Sequence, residues 1–319
     1  MHASWRMAPR LRRALASAPQ SRLAVGAAHR ATRRVLRVLG FHGVTNPARF
    51  AGLLSTVCKY YSPVSAETVV AAIRGEERLP DYPVWFTFDD GLPSTFDAGQ
   101  TLNEHGISAT AYVCPATVSR PGRLWFQTYE AALLAGLLDP RQGPQYNLRQ
   151  LKSAPDGERR RLIAELEDRL GPTEDSFPLS VSVDRLRAWA AQGHSIGNHT
   201  WDHPCLDTCT EERQVRQVID AHEALHSWGF APVHFAYPNG NHTERTEATL
   251  RDLGYATGVL FDHHLTRDKS QPLRLSRLRI DSDATDRRAL SILSGAHSAA
   301  FAATNHIRRA GHPRKMSSN

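Results

Sequence analysis

Val84-Trp85-Phe86-Thr87-Phe88-Asp89-Asp90-Gly91 reads as an apolar strand that ends on two adjacent carboxylates. Side chains alternate across a strand, so one of the pair faces the interior, at a large desolvation cost unless a cation or hydrogen bonds compensate it. Gly91 lets the chain turn sharply and keeps both carboxylates near the strand exit. Taken alone, the pair fits a helix cap equally well. Counting 84–89, seven runs have strand character, the others being 35–42, 109–114, 194–199, 233–237, 255–261 and 274–280. Segments of helical period lie between them, among them 95–105, 183–192 and 211–228. On the last of these Val215, Val218, Ile219, His222 and Leu225 share a face. Such alternation predicts an α/β fold of parallel strands with crossover helices, either an open sheet or a barrel, with functional groups gathered at the carboxyl ends of the strands.

Three larger features frame this core. A helical insertion at 115–178, after the third strand, carries two helical stretches at 125–138 and 158–170 and is expected to cap one end of the sheet. Residues 1–34 read as a basic extension, 35–297 as the main domain and 298–319 as a disordered basic tail. The chain has 319 residues, 22% of them charged and 41% apolar, which excludes collagen, coiled-coil and mostly disordered classes. No stretch approaches the roughly 18 to 20 uninterrupted apolar residues of a spanning helix.

The net charge of +7 is unevenly placed, because eleven Arg or Lys and no acidic residue precede Glu67, which leaves the remainder at −4. A nucleic-acid footprint on the folded domain is therefore not expected, and any weak attraction to an anionic membrane is confined to the leading segment. Arginines interrupt every candidate secretory h-region, and the four cysteines form no dense framework, so the cytoplasm is the expected compartment.

A second chemical signal lies in Ser195-Ile196-Gly197-Asn198-His199-Thr200-Trp201-Asp202-His203. Its two imidazoles are four apart, a zinc-ligand spacing on a helix, but Pro204 disfavours helical dihedrals at His203 and makes a turn the better reading. An isolated pair of this kind is more often a surface or core feature than a metal site. With a carboxylate pair at a neighbouring strand exit, the two motifs supply an Asp-His-His metal site. A third run, Phe235-Ala236-Tyr237-Pro238-Asn239-Gly240-Asn241-His242, leads a strand into a turn. There the Asn239 backbone N–H is a candidate oxyanion donor, although the same turn is also ordinary connection chemistry.

Thr87-Phe88-Asp89-Asp90-Gly91, His199-Thr200-Trp201-Asp202-His203 and Phe235-Ala236-Tyr237-Pro238-Asn239-Gly240, in that order, resemble the polysaccharide deacetylase family, the NodB-homology domain of carbohydrate esterase family four. Leu39-Gly40-Phe41-His42-Gly43-Val44 is similar to its first strand, and the likeness extends over about 35–295. The resemblance implies a distorted, incomplete (β/α) barrel of seven parallel strands and a divalent metal held by Asp90, His199 and His203. Zinc is the first expectation, with cobalt, nickel or manganese as alternatives. Asp89 is implied as the general base that removes a proton from water, and an acetylated carbohydrate as the substrate. Three protein ligands leave positions open, as a catalytic zinc site requires.

Two departures stand out. The late Leu-x-x-His type motif of many members is matched here by Leu273-Arg274-Leu275-Ser276-Arg277-Leu278, without a histidine. The arginine usual at the start of the third motif is Ala236, so Arg277 is the candidate to orient Asp89. Candidates for the general acid are His42 and His242, while Asp89 itself returning its proton is the preferred reading. Sequences with these replacements are similar to a branch associated with exopolysaccharide biosynthesis. Trp125, Trp201 and Tyr237 are candidate sugar-stacking groups, with core packing as the plain alternative. The rival readings are a closed zinc knot of His199, His203, Cys205 and Cys209, a non-haem iron oxygenase, a glycan-binding homologue without turnover, and an O-acetyl esterase or small-amide hydrolase on the same fold.

Overall fold

The computed structural model describes residues 21–120, 122–139, 143, 147–171 and 181–298. Eight strands form one sheet: β1 (Arg37–Phe41), β2 (Ser62–Pro63), β3 (Pro83–Phe88), β4 (Ala109–Val113), β5 (Ser195–Asn198), β6 (His234–Ala236), β7 (Thr257–Val259) and β8 (Leu278–Arg279). Their spatial order is β7-β6-β5-β4-β3-β1-β8, with the two-residue β2 beside the start of β3. Every ladder is parallel. Six of the eight fall inside the runs read from the sequence, β3 overlaps its run but starts one residue earlier, and the arrangement is an incomplete (β/α) barrel.

The last expected strand, 274–280, does not form one continuous ladder. Leu275 bridges to Val259 of β7, and only then does the chain pair Leu278 and Arg279 with Leu39 and Gly40 of β1. The segment spans the gap between the two edges of the sheet, so it bonds to each in turn. Period-2 alternation sorts the strand side chains into two cores. Val38, Trp85, Tyr112, Ala236, Val259 and Leu275 fill the interior with Leu36. Leu39, Phe41, Val84, Phe86, Phe88, Ala109, Ala111 and Val113 pack outward, against helices such as Pro47–Tyr60 and Val183–Ala191. Side chains of Asn46, Ser65, Ser182, Thr210, Thr243 and Thr285 cap the helices that follow them, the local stop signals that hold strand and helix in alternation.

The insertion contributes helices Pro115–Ser119, Trp125–Leu134, Leu148–Ser153 and Asp156–Leu170. Its apolar faces make a small core of their own, in which Trp125, Tyr129, Leu151, Ile163 and Leu166 surround Cys205 from the segment after β5. The insertion is thereby fastened to the loop that carries His203. Within the stretch read as a basic extension, helix Arg22–Ala31 lies against the domain. His29 stacks on Tyr82 at 3.9 Å, and Thr32 donates to the Ser294 carbonyl at 3.2 Å. It buries no side chain fully and is held to the domain largely by polar contacts. Residues 1–20 and 299–319 of the expected extension and tail lie outside the described residues. Among the described residues, no helix is long and apolar enough to cross a membrane.

Close packing of the barrel interior gives a direct test. A Cβ on Gly197 of β5 would collide with the Tyr112 ring and stand 2.9 Å from the His234 carbonyl, whereas a Cβ on Gly52, in helix Pro47–Tyr60, meets nothing within 4 Å. Gly197→Ala is expected to cost about 1–3 kcal/mol through overpacking, and Gly52→Ala to stabilise by up to about 1 kcal/mol through helix propensity. Thermal unfolding of the two variants beside the parent reads both signs.

Candidate active site and metal centre

The exits of β3 and β5 bring the two sequence motifs together. Asp90, His199 and His203 are buried, and each offers a ligand atom within 4.8 Å of the others. Asp90 Oδ1 lies 3.5 Å from His199 Nε2 and 3.4 Å from His203 Nε2. Three of these residues' buried polar atoms, Asp90 Oδ1, His199 Nε2 and His203 Nδ1, have no hydrogen-bond partner.

The tautomer of His199 follows from its neighbour. Its Nδ1 stands 2.8 Å from the Ala236 carbonyl oxygen, which only accepts, so Nδ1 carries the proton and the Nε2 lone pair faces the Asp90 carboxylate. Two acceptors buried face to face repel unless a cation lies between them. A proton is one such cation. Burial opposes a charged imidazole at His199, yet the Asp89 and Asp90 carboxylates outweigh it and raise its pKa. Burial resists ionisation of Asp90 too, but the neighbouring imidazoles, His199 foremost, prevail and hold the carboxyl well below its usual range. Burial pushes His203 down to about 3, against the pull of Asp90, so the ring is neutral at neutral pH and one of its nitrogens offers a lone pair. The donor set of one carboxylate and two neutral imidazoles suits zinc and its neighbours in the first transition row.

Asp89 lies beside this cluster, its Oδ2 3.9 Å from His199 Nε2, but its charge is already balanced. Arg277 Nη1 donates to Oδ1 at 2.6 Å and Nη2 to Oδ2 at 2.7 Å, a bidentate fork inside the barrel. The guanidinium is wholly buried; it stands 4.8 Å from the centre of the Phe261 ring and 5.8 Å from that of Tyr112. Its Nε donates to the Leu260 carbonyl at 2.9 Å and Nη1 also reaches Thr87 Oγ1 at 3.2 Å. Burial of Asp89 favours its neutral form, but Arg277, with His199 and His42, overrides this and keeps the pKa below its ordinary value. With Asp89 and Arg277 cancelling, Asp90 is the uncompensated charge of the site.

Backbone strain gathers at the same place. Asp90 (φ 70°), Thr200 (φ 69°) and His203 (φ 60°) are all left-handed without being glycine. The loop survives because it is bonded on several sides. Asn198 Oδ1 accepts from Thr200 N at 2.7 Å, and its amide donates to Tyr255 Oη at 2.7 Å and to the Val218 carbonyl. Thr200 Oγ1 accepts from His203 N at 3.1 Å, and Trp125 Nε1 donates to the His203 carbonyl at 2.9 Å.

Residues 76–258, more than half of the chain, match the family model for polysaccharide deacetylases. The chain belongs to the polysaccharide deacetylase family. It is 32% identical over 103 residues to chitin deacetylase 2 of Saccharomyces cerevisiae, a stretch that covers 31% of this chain and 33% of that protein. To a peptidoglycan-N-acetylglucosamine deacetylase of Bacillus cereus it is 28% identical over 81 residues, 25% of this chain and 38% of the relative. The matched stretch thus spans little more than a third of these curated relatives. Two solved structures share the fold: the Streptococcus pyogenes deacetylase PplD in complex with acetate (TM-score 0.60, 18% identity, 82% of this chain and 99% of that one) and IcaB from Ammonifex degensii (TM-score 0.57, 17% identity, 82% and 97%).

Within this deacetylase fold the remaining candidates separate. His42 is exposed at the exit of β1, 5.2 Å from the Phe261 ring, and close enough to influence the ionisation of Asp89, Asp90 and His203. His242 is engaged elsewhere: its Nε2 lies 2.7 Å from Glu247 Oε2, and its ring packs on Tyr237. Tyr237 is fully buried among Phe235, Leu250 and Tyr255, so its ring belongs to a core and presents no face for a sugar to stack on. Alternation explains the difference, since Tyr237 follows Ala236 on the opposite side of the strand. Asn239 is left-handed (φ 55°) within the turn Pro238–Gly240, and its amide side chain points to Cys205 Sγ. Trp125 and Trp201 both border the wide cleft beside the His203 loop. Cys205 and Cys209 are free thiols, and Cys205 is packed into the insertion core, so no zinc knot forms with His199 and His203 among the described residues. The supporting roles of Asn198, Thr200 and Trp125 escape sequence reasoning, because each depends on a partner distant in the chain or on loop geometry.

The ion pair sets a pH-dependent stability. Asp89 has a lowered folded pKa, so its contribution is complete above the unfolded value of about 4 and fades as pH falls through the folded one. Arg277→Gln strands a buried carboxylate and is expected to cost about 3–5 kcal/mol at pH 7. Denaturant titrations of parent and variant should show that gap narrowing as the medium is acidified below pH 4.

Proposed function

We propose that this protein is a metal-dependent hydrolase that removes acetyl groups, N-acetyl groups foremost, from a carbohydrate. What supports this reading above all is the facing set of buried, unpartnered ligand atoms on Asp90, His199 and His203 beside a carboxylate clamped by a buried arginine. Zinc is the ion we propose for it, and when bound it would supply polarisation of the acetyl carbonyl and of water.

The chain's own residues do the rest. Asp89, fixed in plane by Arg277, takes the proton of the attacking water. A carboxyl held below its ordinary pKa is a weak base but a strong acid once protonated, so Asp89 returns the proton to the leaving nitrogen. No second acid inside the barrel is then required, in keeping with a sequence whose late motif, 273–278, holds no histidine. His42, at the mouth, contributes positive potential when protonated. The Asn239 amide, in the first turn of a short helix and so without an intrahelical acceptor, serves as the oxyanion donor. Peptidoglycan and chitin deacetylases among the relatives support an N-acetylated glycan as substrate.

Removal of the metal by chelation should abolish acetate release from N-acetylated oligosaccharides, and zinc should restore it. Asp90→Ala and His203→Ala are expected to lose bound metal and activity together. Asp89→Asn should keep its metal while turnover drops about 10²- to 10⁴-fold. Metal content by mass spectrometry beside acetate release separates the roles, and a fully active Asp89→Asn would sink the assignment of the base.

A further inference from the structure

The insertion and the His203 loop together enclose a cleft of about 1150 Å³, larger than the roughly 300–1,000 Å³ of sites for small ligands. Its size suits several sugar rings. Trp125 and Trp201 form part of its wall, and Trp125 is the residue whose indole bonds to the His203 carbonyl, so the cleft adjoins the candidate metal centre through one shared segment.

The charge of this wall is unusual. Six arginines border it against Asp156, Asp202 and Glu167, an excess of three positive charges on a domain whose residues from Glu67 onward are net acidic. Two of the arginines are spent internally: Arg159 pairs with Asp156 at 2.6 Å, and Arg213 reaches both Asp202 oxygens at 3.2 Å. The other four, Arg120, Arg123, Arg160 and Arg161, make no ion pair or side-chain hydrogen bond among the described residues. Arg160 and Arg161 are adjacent and exposed on helix Asp156–Leu170. Like charges gathered in a concave wall repel one another and raise the local potential, an arrangement that favours an anionic occupant. Guanidinium forks bind carboxylate and phosphate oxygens two at a time.

From this wall we infer that the carbohydrate is acidic: an oligosaccharide bearing carboxylate or phosphate groups near its acetylated sugar, bound with those groups on Arg120, Arg123, Arg160 and Arg161 while its rings pass Trp125 and Trp201. The inference rests on the hydrolase reading for the identity of the acetylated sugar, but not for the anionic contact itself.

Titration calorimetry on the full chain tests it with three probes of equal length: neutral chitotetraose, its 6-phosphorylated form, and a hyaluronan tetrasaccharide that alternates N-acetylglucosamine with glucuronate. At low salt the charged probes should bind at least about tenfold more tightly than the neutral one, a preference that shrinks as salt is raised. The two charged arms tell phosphate from carboxylate. Arg160→Glu combined with Arg161→Glu should erase the preference without lowering the melting temperature, and the paired Lys replacements should retain most of it. Charged probes that bind no better than chitotetraose, or a charge-reversed variant that binds them as the parent does, would overturn the inference. Acetate is measured on the same samples. Charge-selective binding without acetate release would count against the hydrolase and leave the anionic cleft standing, whereas acetate release without charge preference would do the reverse.

Discussion

Arg277 lies at the centre of the barrel because Asp89 is there first. A strand that runs apolar to its end and then presents two carboxylates drives both into the protein, where ionised groups are tolerated only in company. The bidentate pair satisfies Asp89 completely, and the surroundings are shaped to admit it. Gly40 of β1 has no side chain, and a Cβ there would lie 2.6 Å from Phe261 and 3.1 Å from Arg277. Phe261 and Tyr112 then sandwich the guanidinium. A buried ion pair is weak evidence of stability, since apolar residues of like volume often serve as well. Its retention here makes better sense as positioning: it holds one carboxylate ionised and immobile beside a second that is left without a counter-charge.

That second carboxylate organises the other half of the site. Asp90 faces two imidazoles whose remaining nitrogens are fixed by a carbonyl or left open, and the left-handed conformations at Asp90, Thr200 and His203 aim the three groups at a common point. Strain of this kind persists only when the surroundings over-determine it. The bonds from Asn198, Thr200 and Trp125 to the loop do so. The same division of labour accounts for a departure in the third motif. Ala236 leaves no guanidinium on β6, and the positive charge enters from the residue before β8, where Arg277 reaches Asp89 across the closure of the barrel. Position in the chain has changed, but the charge arrives at the same carboxylate.

How far the sequence speaks depends on the range of the interaction. Seven strands were legible because period-2 apolar runs are local, and the candidate metal site because its residues occupy two short motifs at strand exits. β2 was not, since two residues carry no period. The split of 274–280 was hidden as well, because closure of a sheet is a property of its edges and not of any one strand. Tyr237 shows how one step in register decides between ligand and core: beside a motif it looked like a platform, yet its ring points away from the barrel interior into Phe235 and Leu250. Helix Arg22–Ala31 is held by His29, Thr32 and the buried Arg37, whose guanidinium donates to the carbonyls of Thr32 and Leu293, contacts whose partners are distant in the chain.

The insertion is where such legibility ends. Its helices were expected as a cap, but nothing in their period announces that Trp125 will bond to the carbonyl of His203, or that Cys205 from the His203 loop will complete the insertion's own core. These two contacts couple recognition to chemistry mechanically. A change that loosens the insertion releases the His203 carbonyl and so the imidazole with it, which means that the cleft cannot be remodelled without consequence for the cation site. Conversely, substitutions confined to the exposed arginines of helix Asp156–Leu170 alter the charge of the cleft while leaving Trp125, Ile163 and Leu166 packed beneath them. The exposed surface of the cleft is therefore free to vary on a support that is not.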